Sequence, residues 1–236
     1  MKVKHIIERI LSIPKSLWVS LHYFPLAEAL RLPVCVRYNV ILKSLKGSVT
    51  VNSTPPHLGR LSVGFGDVGL YDKRYNRSVL EIYGKVVVNG KASLGTGSVL
   101  SVSSKGCVTF GNNFCNTANV QIVCGDRITF GDDVLVSWDT LVMDTDFHKV
   151  KNLKTDEVYE ETGPIEIGDN VWIGCRAVVL KGSKIPNGCI LGTDSVCTKP
   201  HETENCVIAG NPAAIRKTGV TRLNSKYTEK DIRWVL

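Results

Sequence analysis

The sequence predicts an all-β chain wound as a parallel β-helix, and two observations carry that prediction. Apolar residues recur every six places at Ile167, Ile173, Val179, Ile185 and Leu191. Four places after each sits Val171, Ala177, Ser183, Cys189 or Ser195, so compact side chains dominate a second position of the same period. A strand alternates at period two and a helix at 3.6, and neither yields six. Short flat strands joined by turns and stacked into a coil do yield six. The narrow interior of such a coil takes one larger and one smaller residue per side.

Three segments follow along the chain. Residues 1–46 are apolar and basic, and Pro14, Pro25 and Pro33 divide them into short helices or irregular pieces. The apolar run Ser16–Phe24 is too short to cross a bilayer, and no small-residue cleavage site follows it. This segment reads first as a cap on the coil end. Lys2, Lys4, Arg9 and Lys15 beside Trp18 also suit weak peripheral membrane attachment through residues 1–24. Residues 47–217 form the coil. Its register appears at Ile82, Val88, Leu94 and Leu100, and again at Phe130, Val136, Val142 and His148. Cys197 extends the last run, and Ala209 and Ile215 rejoin it after a polar turn at Thr203. Gly168, Gly192 and Gly210 each follow a register position and relax the backbone at corners. The corner strings Phe110-Gly-Asn-Asn, Phe130-Gly-Asp-Asp and Ile167-Gly-Asp-Asn do not recur at multiples of six, so insertions interrupt the coil. The largest lies between His148 and Pro164. Residues 218–236 are polar and end in a short helix from Thr228, opened by a Thr228-x-x-Asp231 capping box.

Composition narrows the function. The 236 residues carry 43% hydrophobic side chains and a formal charge of +7. That balance describes a globular, basic protein, and an anionic small molecule suits such a surface. Basic residues are scattered, with no zinc-finger spacing or aromatic–basic signature, so nucleic acid is not an expected partner. Eight cysteines form no CxxC pair, and reduced thiols in the cytoplasm are the simplest account. Cys189 and Cys197 fall at interior positions.

The chemistry centres on His148. It closes the string Asp144-Thr-Asp-Phe-His148 and opens the longest loop, and loops on rigid scaffolds are where chemistry concentrates. An imidazole can accept a proton from a hydroxyl or amine near neutral pH, and Asp144 or Asp146 could orient it. Of the five histidines only His148 lies well inside the coil at a register break, which is too few for a metal site of the three-histidine kind. No metal is expected.

Three strings carry a family resemblance: Asp144-Thr-Asp-Phe-His148, Asn170-Val-Trp172-Ile-Gly174 and Ile208-Ala-Gly210-Asn-Pro212-Ala-Ala-Ile-Arg216. Over roughly residues 80–217 the chain resembles the hexapeptide-repeat acyltransferases. The similar branch holds the maltose, galactoside and nodulation O-acetyltransferases and their polysaccharide-modifying relatives. The resemblance implies a left-handed parallel β-helix, a homotrimer with sites between neighbouring subunits, and acetyl-coenzyme A as acyl donor. It implies His148 as the general base. It implies cofactor contacts from Trp172, Gly174, Cys175, Thr193, Thr198, Lys199 and Arg216. Acceptor contacts fall to Asn116, Asn119 and Asp146, with Thr117 standing where the sugar enzymes carry asparagine. Ala214 stands where they tend to carry a second basic residue. The expected reaction is acetyl transfer to a sugar hydroxyl of a surface-polysaccharide precursor. N-acylation of an amino sugar and a non-catalytic scaffold are the alternatives.

Overall fold

A computed structural model describes residues 2–53, 57–66 and 68–223. The chain winds through three faces in turn, each a parallel sheet, so that the cross-section is a triangle. The first face starts with Val34–Val36 and Leu61–Val63 and rises to Cys206–Ala209. The second runs from Ile41–Ser44 to Val196–Cys197, and the third from Ser48–Val51 to Lys184–Ile185. Where no insertion intervenes, Trp172 pairs with Ile190 and Val178 with Val196, eighteen residues on, which is three six-residue sides.

The two periodic positions are both interior. Ile167, Ile173, Val179, Ile185 and Leu191 are buried, and so are Val171, Ala177, Ser183, Cys189 and Ser195. Upstream, Ile82, Val88, Leu94 and Leu100 are buried in the same way. The interior also admits aromatics. Phe110, Phe114 and Phe130 pack with ring centroids 4.6–5.4 Å apart between the third and first faces. Past Thr203 the expected register slips. Ile190 pairs with Val207, one residue short of a full turn. Ile208, not Ala209, is therefore interior, and Ile215 lies exposed on the antiparallel strand Ala214–Thr218.

Corners are made differently from expectation. Left-handed backbone falls on polar residues as well as on glycines: Asn113, Asp133, Asn170 and Asn205, with Gly90 and Gly188, between the third and first faces, and Asn119, Asp139, Arg176 and Asp194, with Gly97, between the first and second. Short polar side chains tolerate this region by bonding locally. Gly168 and Gly192 keep ordinary backbone and serve close stacking instead. A methyl at Gly168 would lie 2.4 Å from Asn187 Oδ1 on the next turn. Only Gly210 of the three has positive φ.

The coil begins before residue 47, because Val34–Val36 and Ile41–Ser44 already form its first two sides. Insertions after Val51 and Val63 stretch the first turns and hide their period. Ahead of them stands one helix, α1 (Lys2–Tyr23), and one short helix, α2 (Leu26–Ala29). Pro25 and Pro33 do break the chain, but Pro14 sits inside α1. Three serines one turn apart hold both halves on the Val34–Val36 strand. Tyr38 N donates to Ser12 Oγ at 3.0 Å, Val36 N to Ser16 Oγ at 3.0 Å, and Ser20 Oγ to the Val34 carbonyl at 3.1 Å. These contacts span the proline and offset its lost hydrogen bond. At the other end residues 219–223 fold back along the coil, where Arg222 Nη2 donates to the Asp133 carbonyl at 2.5 Å. The helix expected from Thr228 lies outside the described residues.

Candidate active site

The long insertion leaves the corner between the second and third faces. Asp144 anchors its base. The side chain is fully buried and accepts from Gly125 N at 2.5 Å and Asp126 N at 3.0 Å. The Cys124 thiol lies 3.5 Å from it. Burial first, and then the Asp144 carboxylate, push that thiol well above the usual cysteine range. Asp146 pairs with Lys181 Nζ at 2.6 Å, and Lys181 also donates to the Glu160 carbonyl. Both carboxylates are thus committed to the loop. Neither orients His148, contrary to expectation, because each is satisfied by a partner that holds the loop base shut. Phe147 takes positive φ and donates its N–H to Thr145 Oγ1. This turn sets His148 on the outside of the loop, exposed, with no hydrogen bond to its ring among the described residues. Beyond it, Val150–Lys151 and Val158–Tyr159 form a small antiparallel hairpin.

The second group of expected residues stands at a different corner, between the first and second faces. Trp172 is 38% exposed, and its indole N–H donates to Ser137 Oγ at 3.0 Å. Gly174 follows, buried, where a methyl would lie 2.7 Å from the Thr193 amide nitrogen. Cys175 Sγ and Thr193 Oγ1 are 3.5 Å apart on adjacent turns. Three backbone N–H groups on this corner, those of Trp138, Cys175 and Thr193, donate to no acceptor among the described residues. They stand one above another, at the strand spacing of about 4.8 Å. Flanking them, Asn119 Nδ2 donates to Asp139 Oδ1 at 2.6 Å and Tyr71 Oη to Asp139 Oδ2 at 2.6 Å. Arg176 grips Asp194 with two bonds of 2.7 Å. Tyr71 and Asp139 were not singled out in the sequence. Tyr71 arrives on an irregular insertion, and only its reach to Asp139 reveals it.

The remaining residues separate further. Asn116 faces the coil interior, where its Oδ1 accepts from Gly95 N at 2.6 Å and Ser98 Oγ at 3.0 Å. It is therefore part of the wall and offers no acceptor contact, because interior register places every second side chain of that strand inward. Thr198 and Lys199 are exposed at the His148 corner, and Lys199 Nζ has no partner among the described residues. His201 is buried beneath them with Nε2 unpartnered. Arg216 uses Nε to bond the Ala209 carbonyl at 2.9 Å, and its outer N–H groups reach no acceptor among the described residues. A six-residue side spans roughly 20 Å at about 3.3 Å per residue. His148 and the Trp172 corner are a whole side apart on one coil.

No protein-family model matches the chain. It is 31% identical over 131 residues to the putative lipopolysaccharide biosynthesis O-acetyl transferase WbbJ of Escherichia coli (strain K12), covering 52% of this chain and 66% of that protein. It is 34% identical over 110 residues to the galactoside O-acetyltransferase of the same organism, covering 46% of this chain and 52% of the relative. The chain thus spans about half to two thirds of the length of these curated relatives. Among solved structures, the polySia-specific acetyltransferase NeuO aligns with a TM-score of 0.49 at 19% identity, over 83% of this chain and 87% of that one. Among the described residues, no helix is long and apolar enough to cross a membrane.

Proposed function

We propose that this chain, whose relatives are named O-acetyltransferases of the hexapeptide-repeat acyltransferase family, moves an acetyl group from acetyl-coenzyme A to a sugar hydroxyl. The acceptor we infer is a precursor of a surface polysaccharide. The observation that carries the reading is the column of unused amides at Trp138, Cys175 and Thr193. A pantetheine arm is a linear chain with amide carbonyls at intervals, and a column of unused N–H donors suits it. The half-exposed Trp172 indole, pinned by Ser137, supplies a flat wall beside that column. Lys199 and the outer nitrogens of Arg216 are cations without partners among the described residues, suited to charge-assisted bonds with coenzyme phosphates.

In this mechanism the His148 imidazole takes the proton from the acceptor hydroxyl as its oxygen attacks the thioester carbonyl. Unused corner amides, that of Cys175 first, stabilise the oxyanion. The adduct then collapses, and the departing coenzyme thiolate recovers the proton from His148. Cys175 needs no covalent role, since no base stands beside its thiol. The separation of His148 from the Trp172 corner supports a site shared between copies of the chain, and a homotrimer with closed symmetry meets that need. Phe147, Leu153 and Tyr159 of the loop are exposed apolar groups that a neighbouring copy would cover.

The test is His148→Ala. Turnover should fall about 10²–10⁴-fold while coenzyme A still raises the unfolding temperature. Assemblies reconstituted from a mixture of His148→Ala and Trp172→Ala chains should regain activity, because some sites then pair an intact His148 with an intact Trp172. Near-normal transfer by His148→Ala sinks the mechanism. Mixed assemblies that stay inactive sink the shared site.

A further inference from the structure

Helix α1 is amphipathic with its polar side turned inward. Ser12, Ser16 and Ser20 meet the Val34–Val36 strand, and Glu8 turns in to pair with Arg37 and Lys73. At 100° per residue, the opposite side collects Ile6, Ile7, Ile10, Leu11, Ile13 and Trp18. All six are 47–57% exposed, and no charged residue interrupts their arc. Leu26 and Leu30 continue the apolar surface at 64% and 62% exposure. A contiguous apolar surface of this kind on a folded domain marks a docking face.

Charge identifies the occupant. Residues 1–31 hold five Lys and Arg against two Asp and Glu; Glu8 and Lys15 are both consumed internally, which leaves four cations against one acid. Exposed Arg9 borders the stripe, its guanidinium 5.3 Å from the Phe65 ring centroid. Two copies of such a face would bring like charges together, whereas an anionic bilayer complements them. Trp18 at 56% exposure adds a side chain suited to the headgroup boundary. We propose that α1 is an in-plane anchor that seats the end of the coil on an anionic lipid surface, with Ile6, Ile7, Ile10, Leu11, Ile13 and Trp18 entering the acyl boundary. The helix lies in the interface and does not cross it. The rest of the coil then rises from the surface with both catalytic corners in solvent.

The full-length protein is sedimented with phosphatidylcholine vesicles, with and without phosphatidylglycerol. Binding is expected to the mixed vesicles and to weaken with added salt. Ile10→Asp with Trp18→Asp should reduce it more than ten-fold while oligomeric mass, far-ultraviolet dichroism and acyl transfer to a soluble acceptor persist. Arg9→Gln keeps the stripe and should weaken binding by about five-fold, the share of one cation near an anionic surface. Failure of the unaltered protein to sediment with either vesicle overturns the proposal. So does undiminished binding by the double variant. A fall in oligomeric mass of that variant, without vesicle binding by the parent, assigns the face to a second copy instead.

Discussion

Replacing Asp144 with Ala should loosen the long loop at its root. The carboxylate accepts two backbone N–H bonds, from Gly125 and Asp126, in a fully buried position. Removing it leaves both donors without an acceptor, at about 1–3 kcal/mol each. The expected loss is therefore roughly 3–5 kcal/mol after partial entry of water. For a domain of this size that corresponds to roughly 10 °C in unfolding temperature, at about 2–4 °C per kcal/mol. Asp144→Asn keeps one accepting oxygen but turns an NH₂ toward the other donor, so it should lose about half as much. Urea unfolding gives the stability, and limited proteolysis between residues 144 and 163 reports the loop directly. Cleavage there should accelerate, and turnover should fall as His148 loses its support. An Ala variant within 1 kcal/mol of the parent, or one cleaved no faster, would refute the account of Asp144 as the anchor.

Further outcomes follow from the same geometry. Arg216→Ala should raise the KM for acetyl-coenzyme A by about ten-fold or more, since a charge-assisted bond contributes roughly 1.5–3 kcal/mol; an unchanged KM removes Arg216 from the site. Burial first, and nearby Lys199 second, hold His201 below the usual histidine value. The unfolded chain therefore binds the extra proton first as pH falls, so stability is complete above about pH 6.5 and declines below it. His201→Gln should flatten that decline in denaturation midpoints, and a persisting slope would assign it to another group. Gly174→Ala would force a methyl to 2.7 Å from Thr193 N and 2.9 Å from the Leu191 carbonyl. Backbone cannot yield as a side chain can, so about 1–3 kcal/mol should be lost in a urea titration, and an unaltered midpoint would contradict the stacking described.

The coil was legible because its interior repeats. From Ile167 to Cys197 no insertion disturbs the eighteen-residue turn, and the residues at both periodic positions there are buried as their spacing indicates; buried Gly174, Pro186 and Gly188 fall outside that spacing. The first turns were not, because the chain between Val51 and Val79 inserts irregular segments and shifts the phase. Pro14 misled for a physical reason: a proline is read as a break, yet Ser12, Ser16 and Ser20 fasten both sides of it to one strand. Of the candidate site, spacing pointed to the His148 loop, and the Trp172 corner was marked only by the resemblance of its string to a known family. It could not tell that Asp144 and Asn116 spend their polar atoms inside the wall, because that depends on which neighbours each side chain meets. Nor could it find the free amides of Trp138, Cys175 and Thr193, since backbone groups carry no signature in the sequence.

The serine contacts of α1 also decide how long the molecule is. A coil of stacked turns presents, at its first turn, a row of unpaired N–H and C=O groups that any further turn could extend. Ser12 and Ser16 accept the outward N–H groups of Tyr38 and Val36, and Ser16 and Ser20 donate to the carbonyls of Val36 and Val34. A helix cannot pass the ladder on, so growth stops there. Without these hydroxyls the open turn of one molecule would be a template for the next, and the product would be a filament instead of particles of fixed size.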